Sequence, residues 1–116
     1  MNTIDEGLTA LIARGFRFQH LTDQQGQLSI IVGFYGWPEC WDRIEIHDED
    51  DAAAARTTDA SPEIDHVVWS YHGDTLSTIA AILALPQPHE PSAPRRSYRA
   101  PSNLWLPARS DYQLLP

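Results

Sequence analysis

Trp41-Asp42-Arg43-Ile44-Glu45-Ile46-His47-Asp48-Glu49-Asp50-Asp51-Ala52-Ala53-Ala54-Ala55-Arg56-Thr57 lies at the centre of the chain, and its conformation sets how the flanking strands connect. Its first half alternates. Ile44 and Ile46 point one way while Trp41, Arg43 and Glu45 point the other, the two-residue period of a strand. Its second half has no period. Alanine has the highest helix propensity, and acids before it suit the positive end of a helix dipole. The reading is a strand to His47, then a short helix begun by Asp48 that runs through Ala52–Ala55 to about Thr57.

The flanking segments carry clearer signals. Thr3 and Glu6 have the spacing of a capping box. Ile4, Leu8, Leu11 and Ile12 make one apolar stripe, and Gly15 stands where a left-handed helix end is expected. Phe16 to Leu21 alternates, a polar turn with Gly26 follows, and Leu28, Ile30, Val32 and Phe34 form the inward face of a second strand. Ile31 and Tyr35 cover its other face. Gly36, Trp37 and Pro38 end it. Val67, Trp69 and Tyr71 mark a fourth strand. Asp74 caps a last helix with the stripe Leu76, Ile79, Ala80 and Leu83, and Pro86 stops it.

The expected order is α-β-β-β-α-β-α: an α+β fold with a four-stranded mixed sheet and helices packed on it. With the Ala-rich segment as a crossover, the third and fourth strands run parallel. Residues 1–85 form this domain. Residues 86–116 hold seven of the nine prolines and read as a Pro-rich extended tail or strap. Tyr98 and Trp105 are its expected anchors.

Charge is the main functional signal. Between Glu39 and Asp65 there are ten acids and two arginines, a local balance of −8 that equals the formal net charge of the chain. Such a patch repels nucleic acid and anionic membrane and attracts basic surfaces. No apolar run approaches the ~20 residues of a membrane span. Met1 to Glu6 lacks the basic region of a secretory leader. The single cysteine, Cys40, rules out an intrachain disulfide. The expected compartment is the cytosol. All eight basic residues are arginine, a usage that points to a GC-rich bacterial or phage coding sequence.

Three constellations are candidates for function. Trp37, Glu39, Trp41 and Asp42, with Asp48, Glu49, Asp50 and Asp51, would give aromatic anchors beside an acidic rim. His47 and His72 both end strands and are followed by Asp48 and Asp74, so a parallel arrangement would gather them as metal ligands or an acid–base cluster. Pro91-Ser92-Ala93-Pro94 with Arg95 has the form of a polyproline-II recognition segment. Cys40, between Glu39 and Asp42, lacks the electropositive setting of a reactive thiolate. There is no phosphate loop, nucleophile elbow, dinucleotide fingerprint or paired-cysteine zinc spacing. No cofactor is expected.

The resulting expectation is a small acidic, non-enzymatic interaction protein that docks a basic protein partner, with an inhibitor or immunity-type protein as a special case. Self-association is compatible with it. One alternative is a metal-binding or acid–base enzyme using His47, His72, Asp48 and Asp74. Another is a structural component of a bacterial or phage assembly.

Overall fold

The computed structural model describes residues 2–23, 26, 29–57, 66–99 and 112–115. Helix α1 (Ile4–Arg14) leads into strands β1 (Arg17–Asp23), β2 (Ser29–Gly36), β3 (Trp41–Asp48), β4 (Asp51–Thr57) and β5 (His66–Gly73). Helix α2 (Thr75–Ala84) follows, then β6 (Tyr98–Arg99) and β7 (Tyr112–Leu115). Among the described residues the sheet has seven strands in the order β6-β5-β4-β3-β2-β1-β7. Every adjacent pair is antiparallel.

The α+β class is as expected, but the four-stranded mixed sheet is not. Ala52–Ala55 lie inside strand β4, which forms a hairpin with β3 and pairs on its other side with β5. No crossover joins the third and fourth expected strands. Tertiary burial overrides the helix propensity of alanine here. All four alanines are buried, with Ala52 and Ala54 on the helix-covered face and Ala53 and Ala55 on the opposite one. A strand buried on both faces shows no alternation, so the run lacked the period that would have identified it.

The small side chains of β4 let α2 come close. Ala52 and Ala54 pack with Ile44 and Ile46 of β3, Ile79 and Ile82 of α2, and Leu11 and Phe16. Both helices share this face, and the Arg14 guanidinium of α1 donates to the Leu83 carbonyl of α2 at 2.6 Å. At Gly15, φ is +112°, and the helix end closes through its N–H to the carbonyls of Ile12 and Leu11. Gly33 has a different reason: the Phe18 ring lies where a side chain would stand, 2.5 Å from an added Cβ.

The helix caps follow the sequence. Thr3 Oγ1 accepts from the Glu6 N–H at 3.1 Å, and the Glu6 carboxylate accepts from the Asn2 N–H and the Thr3 hydroxyl. Asp74 accepts from the Ser77 N–H at 2.9 Å and opens α2. The segment expected as a tail or strap contributes strands to both sheet edges, β6 beside β5 and β7 beside β1. Its Pro91–Pro94 portion is not an extended recognition segment. It lies in a series of turns with Ala93 buried, and Arg95 donates back to the carbonyls of Glu90, Pro91 and Ala93. No helix among the described residues is long and apolar enough to cross a membrane.

Candidate functional site

Strand β3 sorts its charged residues by face and by end. On the helix-covered face, Asp42 stands opposite Arg56 of β4. Arg56 Nε and Nη2 bond the two Asp42 oxygens at 2.7 and 3.0 Å, and Nη1 reaches the Pro86 carbonyl at 2.7 Å. Trp37 Nε1 adds a bond of 2.9 Å to the same carboxylate. The guanidinium carbon lies 5.8 Å from the centre of the Trp37 ring. Asp42 is 4% exposed and Arg56 1%. A buried two-point pair of this kind is strong in geometry and costly to break. Asp42, expected among the partner-binding acids, is therefore a structural residue.

The opposite face carries Arg43, Glu45 and His47. Glu45 is fully buried, with Oε2 2.7 Å from Arg43 Nη2 and Oε1 3.1 Å from His47 Nε2. The Glu45 hydrogen bond raises the His47 pKa against the opposing effect of burial, and the charges of Glu45 and Asp51 raise it further. Across β4, His72 Nε2 lies 3.0 Å from Asp51 Oδ1. Two imidazole–carboxylate pairs thus share one face.

His47 and His72 were expected to be gathered by adjacent parallel strands. They lie toward the same sheet end because β3 and β5 are each antiparallel to β4, but β4 stands between them and each binds its own carboxylate. Their expected companions are occupied elsewhere. Asp48 Oδ1 accepts the Glu49 N–H at 2.8 Å, and Asp74 caps α2. Among the described residues, no group of three or more histidine, cysteine, aspartate or glutamate side chains is arranged to hold a metal ion.

The four-acid run is a hairpin turn rather than a helix start. Asp48 pairs with Asp51, leaving Glu49 and Asp50 at the tip. All four side chains are exposed. The turn is fastened to α2, because Thr75 N–H donates to the Glu49 carbonyl at 2.9 Å and Thr75 Oγ1 to the Asp48 carbonyl at 2.5 Å. The positive end of α2 therefore faces the turn and offsets part of the mutual repulsion of its acids. Asp74, exposed beside it, has its pKa lowered chiefly by the Ser77 N–H. Five carboxylates gather at this end of the sheet.

Trp37, Glu39 and Trp41 lie at the other end of β3, about 23 Å from Asp48 at the usual rise of an eight-residue strand. The expected set of anchors and acidic rim is thus divided between two ends. The tryptophans are half-buried and occupied: Trp37 against Tyr35 at 4.8 Å, and Trp41 edge-on to Phe34 at 6.2 Å. Glu39 is the one exposed acid there among the described residues. Cys40 is buried, and its thiol is pushed up to about 11, first by burial and then by Asp42 and Glu39 against the opposing charge of Arg56. Tyr98 is exposed on β6 with its hydroxyl 2.8 Å from Ser70 Oγ. Trp105 lies outside the described residues, as do Asp59, Glu63 and Asp65 of the acidic stretch.

The buried pairs were missed from sequence although a signal existed. Arg43 and Arg56 are the only arginines in the acidic stretch, and both pair inside the fold. No family model, curated protein or solved structure matches this chain.

Proposed function

We propose that the protein is a docking module whose ligand is a basic surface of another protein, with the β3–β4 turn as the point of contact. The observation that carries this reading is the fixed, exposed turn Asp48–Asp51, tied through Thr75 to α2 and flanked by Asp74. Four consecutive acids on a loose segment would spread apart. Held by two bonds to a helix, they present a concentrated negative field at low entropic cost on binding. Complementary charge of this kind speeds encounter and selects partners.

The internal pairing of Asp42 with Arg56 and of Glu45 with Arg43 supports the same reading. It removes both arginines of the stretch from the surface, so neither stands beside the turn to neutralise it. The test uses a fluorescent polyarginine peptide and measures anisotropy across a salt series. Binding is expected to weaken steeply as salt rises. The combined variant Asp48→Asn, Glu49→Gln, Asp50→Asn, Asp51→Asn should bind about tenfold more weakly or worse, while Glu39→Gln at the far end changes little. Equal binding by the combined variant, or binding indifferent to salt, overturns the proposal.

A further inference from the structure

We propose that the outer edge of β5 is an interface for a second copy of this chain, joined by antiparallel pairing of Trp69–Gly73 with its own mate across a two-fold axis at Tyr71. The inference goes beyond the docking reading and stands on a different part of the molecule. Strand β5 runs from His66 to Gly73, but β6 pairs with it only at His66 and Val67. The register to β4 shifts between Arg56 and Thr57, which leaves Val68 as a bulge, and α2 begins just past Gly73. Between these limits lies a regular five-residue segment, Trp69–Gly73, with no strand on its outer side among the described residues.

Exposed edges are ordinarily protected by lysine, proline, an inward charge or a very short strand. Val67–Gly73 contains no Lys, Arg, Asp, Glu or Pro. Two of the three exposed large apolar side chains of the described residues lie at this edge, Tyr71 at 37% and Tyr98 at 42%.

The segment complements itself. With Tyr71 opposite Tyr71 of the mate, Trp69 falls opposite Gly73 and Ser70 opposite His72. Trp69, Tyr71 and Gly73 share the helix-covered face, and Ser70 and His72 the other. The indole therefore meets Gly73, over which the Tyr71 ring of the same strand leans at 3.3 Å from an added Cβ, so the rings of Trp69 and Tyr71 gather on one face. On the other face Ser70 and His72 keep their own partners, Tyr98 and Asp51. Aromatic pairs across strands are favourable, and an aromatic ring beside a strand glycine compensates for the missing side chain. Charge agrees with the same orientation. The end of β5 next to Asp74 is acidic, and the other end lies beside β6 with exposed Arg96 and Arg99. Antiparallel pairing sets the acidic end of each copy against the arginine-bearing end of its mate. The isologous contact closes as a dimer and does not propagate.

The test is sedimentation equilibrium of the full chain up to sub-millimolar concentration, with two kinds of variant. The wild type is expected to form a dimer. Tyr71→Lys, which places two cations face to face at the axis, should raise the dissociation constant at least tenfold with unchanged far-ultraviolet circular dichroism. Cys40→Ser/Tyr71→Cys should form a disulfide-linked dimer with oxidised glutathione, whereas Cys40→Ser/Thr9→Cys, with its thiol on the exposed side of α1, should not. A wild type that stays monomeric overturns the inference. So does a folded Tyr71→Lys protein that dimerises as well as wild type, or a Tyr71→Cys thiol that cross-links no better than the Thr9→Cys thiol. Should Tyr71→Lys fail to fold, the cross-linking pair decides.

Discussion

Replacing Arg56 by methionine keeps most of the side-chain stem and removes the fork that holds Asp42. The buried carboxylate would then keep the Trp37 indole N–H as its side-chain donor. Removing one member of a buried ion pair costs about 3–5 kcal/mol, because the other charge is left without its partner. The Pro86 carbonyl also loses its donor, at about 1 kcal/mol. Against a typical domain stability of about 5–15 kcal/mol, Arg56→Met alone should bring the protein close to unfolding. Asp42→Leu should cost a similar amount, since it strands the guanidinium. The double variant Asp42→Leu/Arg56→Met removes both charges and should lose only about 1–2 kcal/mol, chiefly from the unpartnered indole and carbonyl. Urea unfolding of the four proteins gives the cycle, and the expected coupling is several kcal/mol. Additivity within about 0.5 kcal/mol would refute the reasoning, because it would mean that the two side chains do not depend on each other.

Three further outcomes follow from the packing and the charges. Glu45→Gln should lower the His47 pKa, followed by NMR titration of the ring. Because the folded His47 pKa is raised, its ionic contribution is fully present below the unfolded value and is lost as pH rises through the folded value. The wild type should therefore lose a small increment of stability across that window, and Glu45→Gln should not. Ala54→Leu should destabilise by about 1–3 kcal/mol in thermal unfolding, because it forces a larger side chain between β4 and Ile79 and Ile82 of α2. Cys40, buried with its thiol pushed up to about 11, should react slowly with iodoacetamide at pH 8 in the native protein and rapidly in urea, as measured by mass spectrometry.

Both helices, their caps and the strands β1, β2, β3 and β5 can be understood from local sequence, but the sheet order cannot. Thr3, Gly15 and Asp74 act within a few residues of themselves, so their roles are written in neighbouring letters. The alternation of Arg43 and Glu45 with Ile44 and Ile46 likewise marks β3. Ala52–Ala55 is different. Its strand conformation depends on β3 and β5 on either side and on the close approach of α2, none of which a local window contains. Once that run is read as a helix, the four acids before it become its first turn and the next strand becomes parallel. A single misread element thus changed the topology. The short strands β6 and β7 were hidden for another reason: proline-rich surroundings conceal two- and four-residue pairings that exist only because a partner edge is present.

The candidate site was legible as charge but not as geometry. Sequence counts carboxylates equally, whereas the fold divides them by the company they keep. Asp42 and Glu45 alternate with hydrophobic or opposite-face neighbours and are drawn inside, each meeting an arginine held on its own face. Asp48–Asp51 close the β3–β4 hairpin with all four side chains exposed, and Thr75 and His72 hold them in place. The two buried pairs subtract two acids and two arginines together, so the balance of the stretch stays at −8 while its meaning changes. All of that charge now belongs to acids outside the buried pairs, and its densest described part is one rigid hairpin beside a helix N-terminus. The physical consequence is directional. A uniformly acidic surface would repel anions and attract cations from any side, but a cluster held at one sheet end would, under the proposed reading, orient a basic partner before contact. Orientation is the property a docking module requires, and it depends on Thr75 and α2 as much as on the acids themselves.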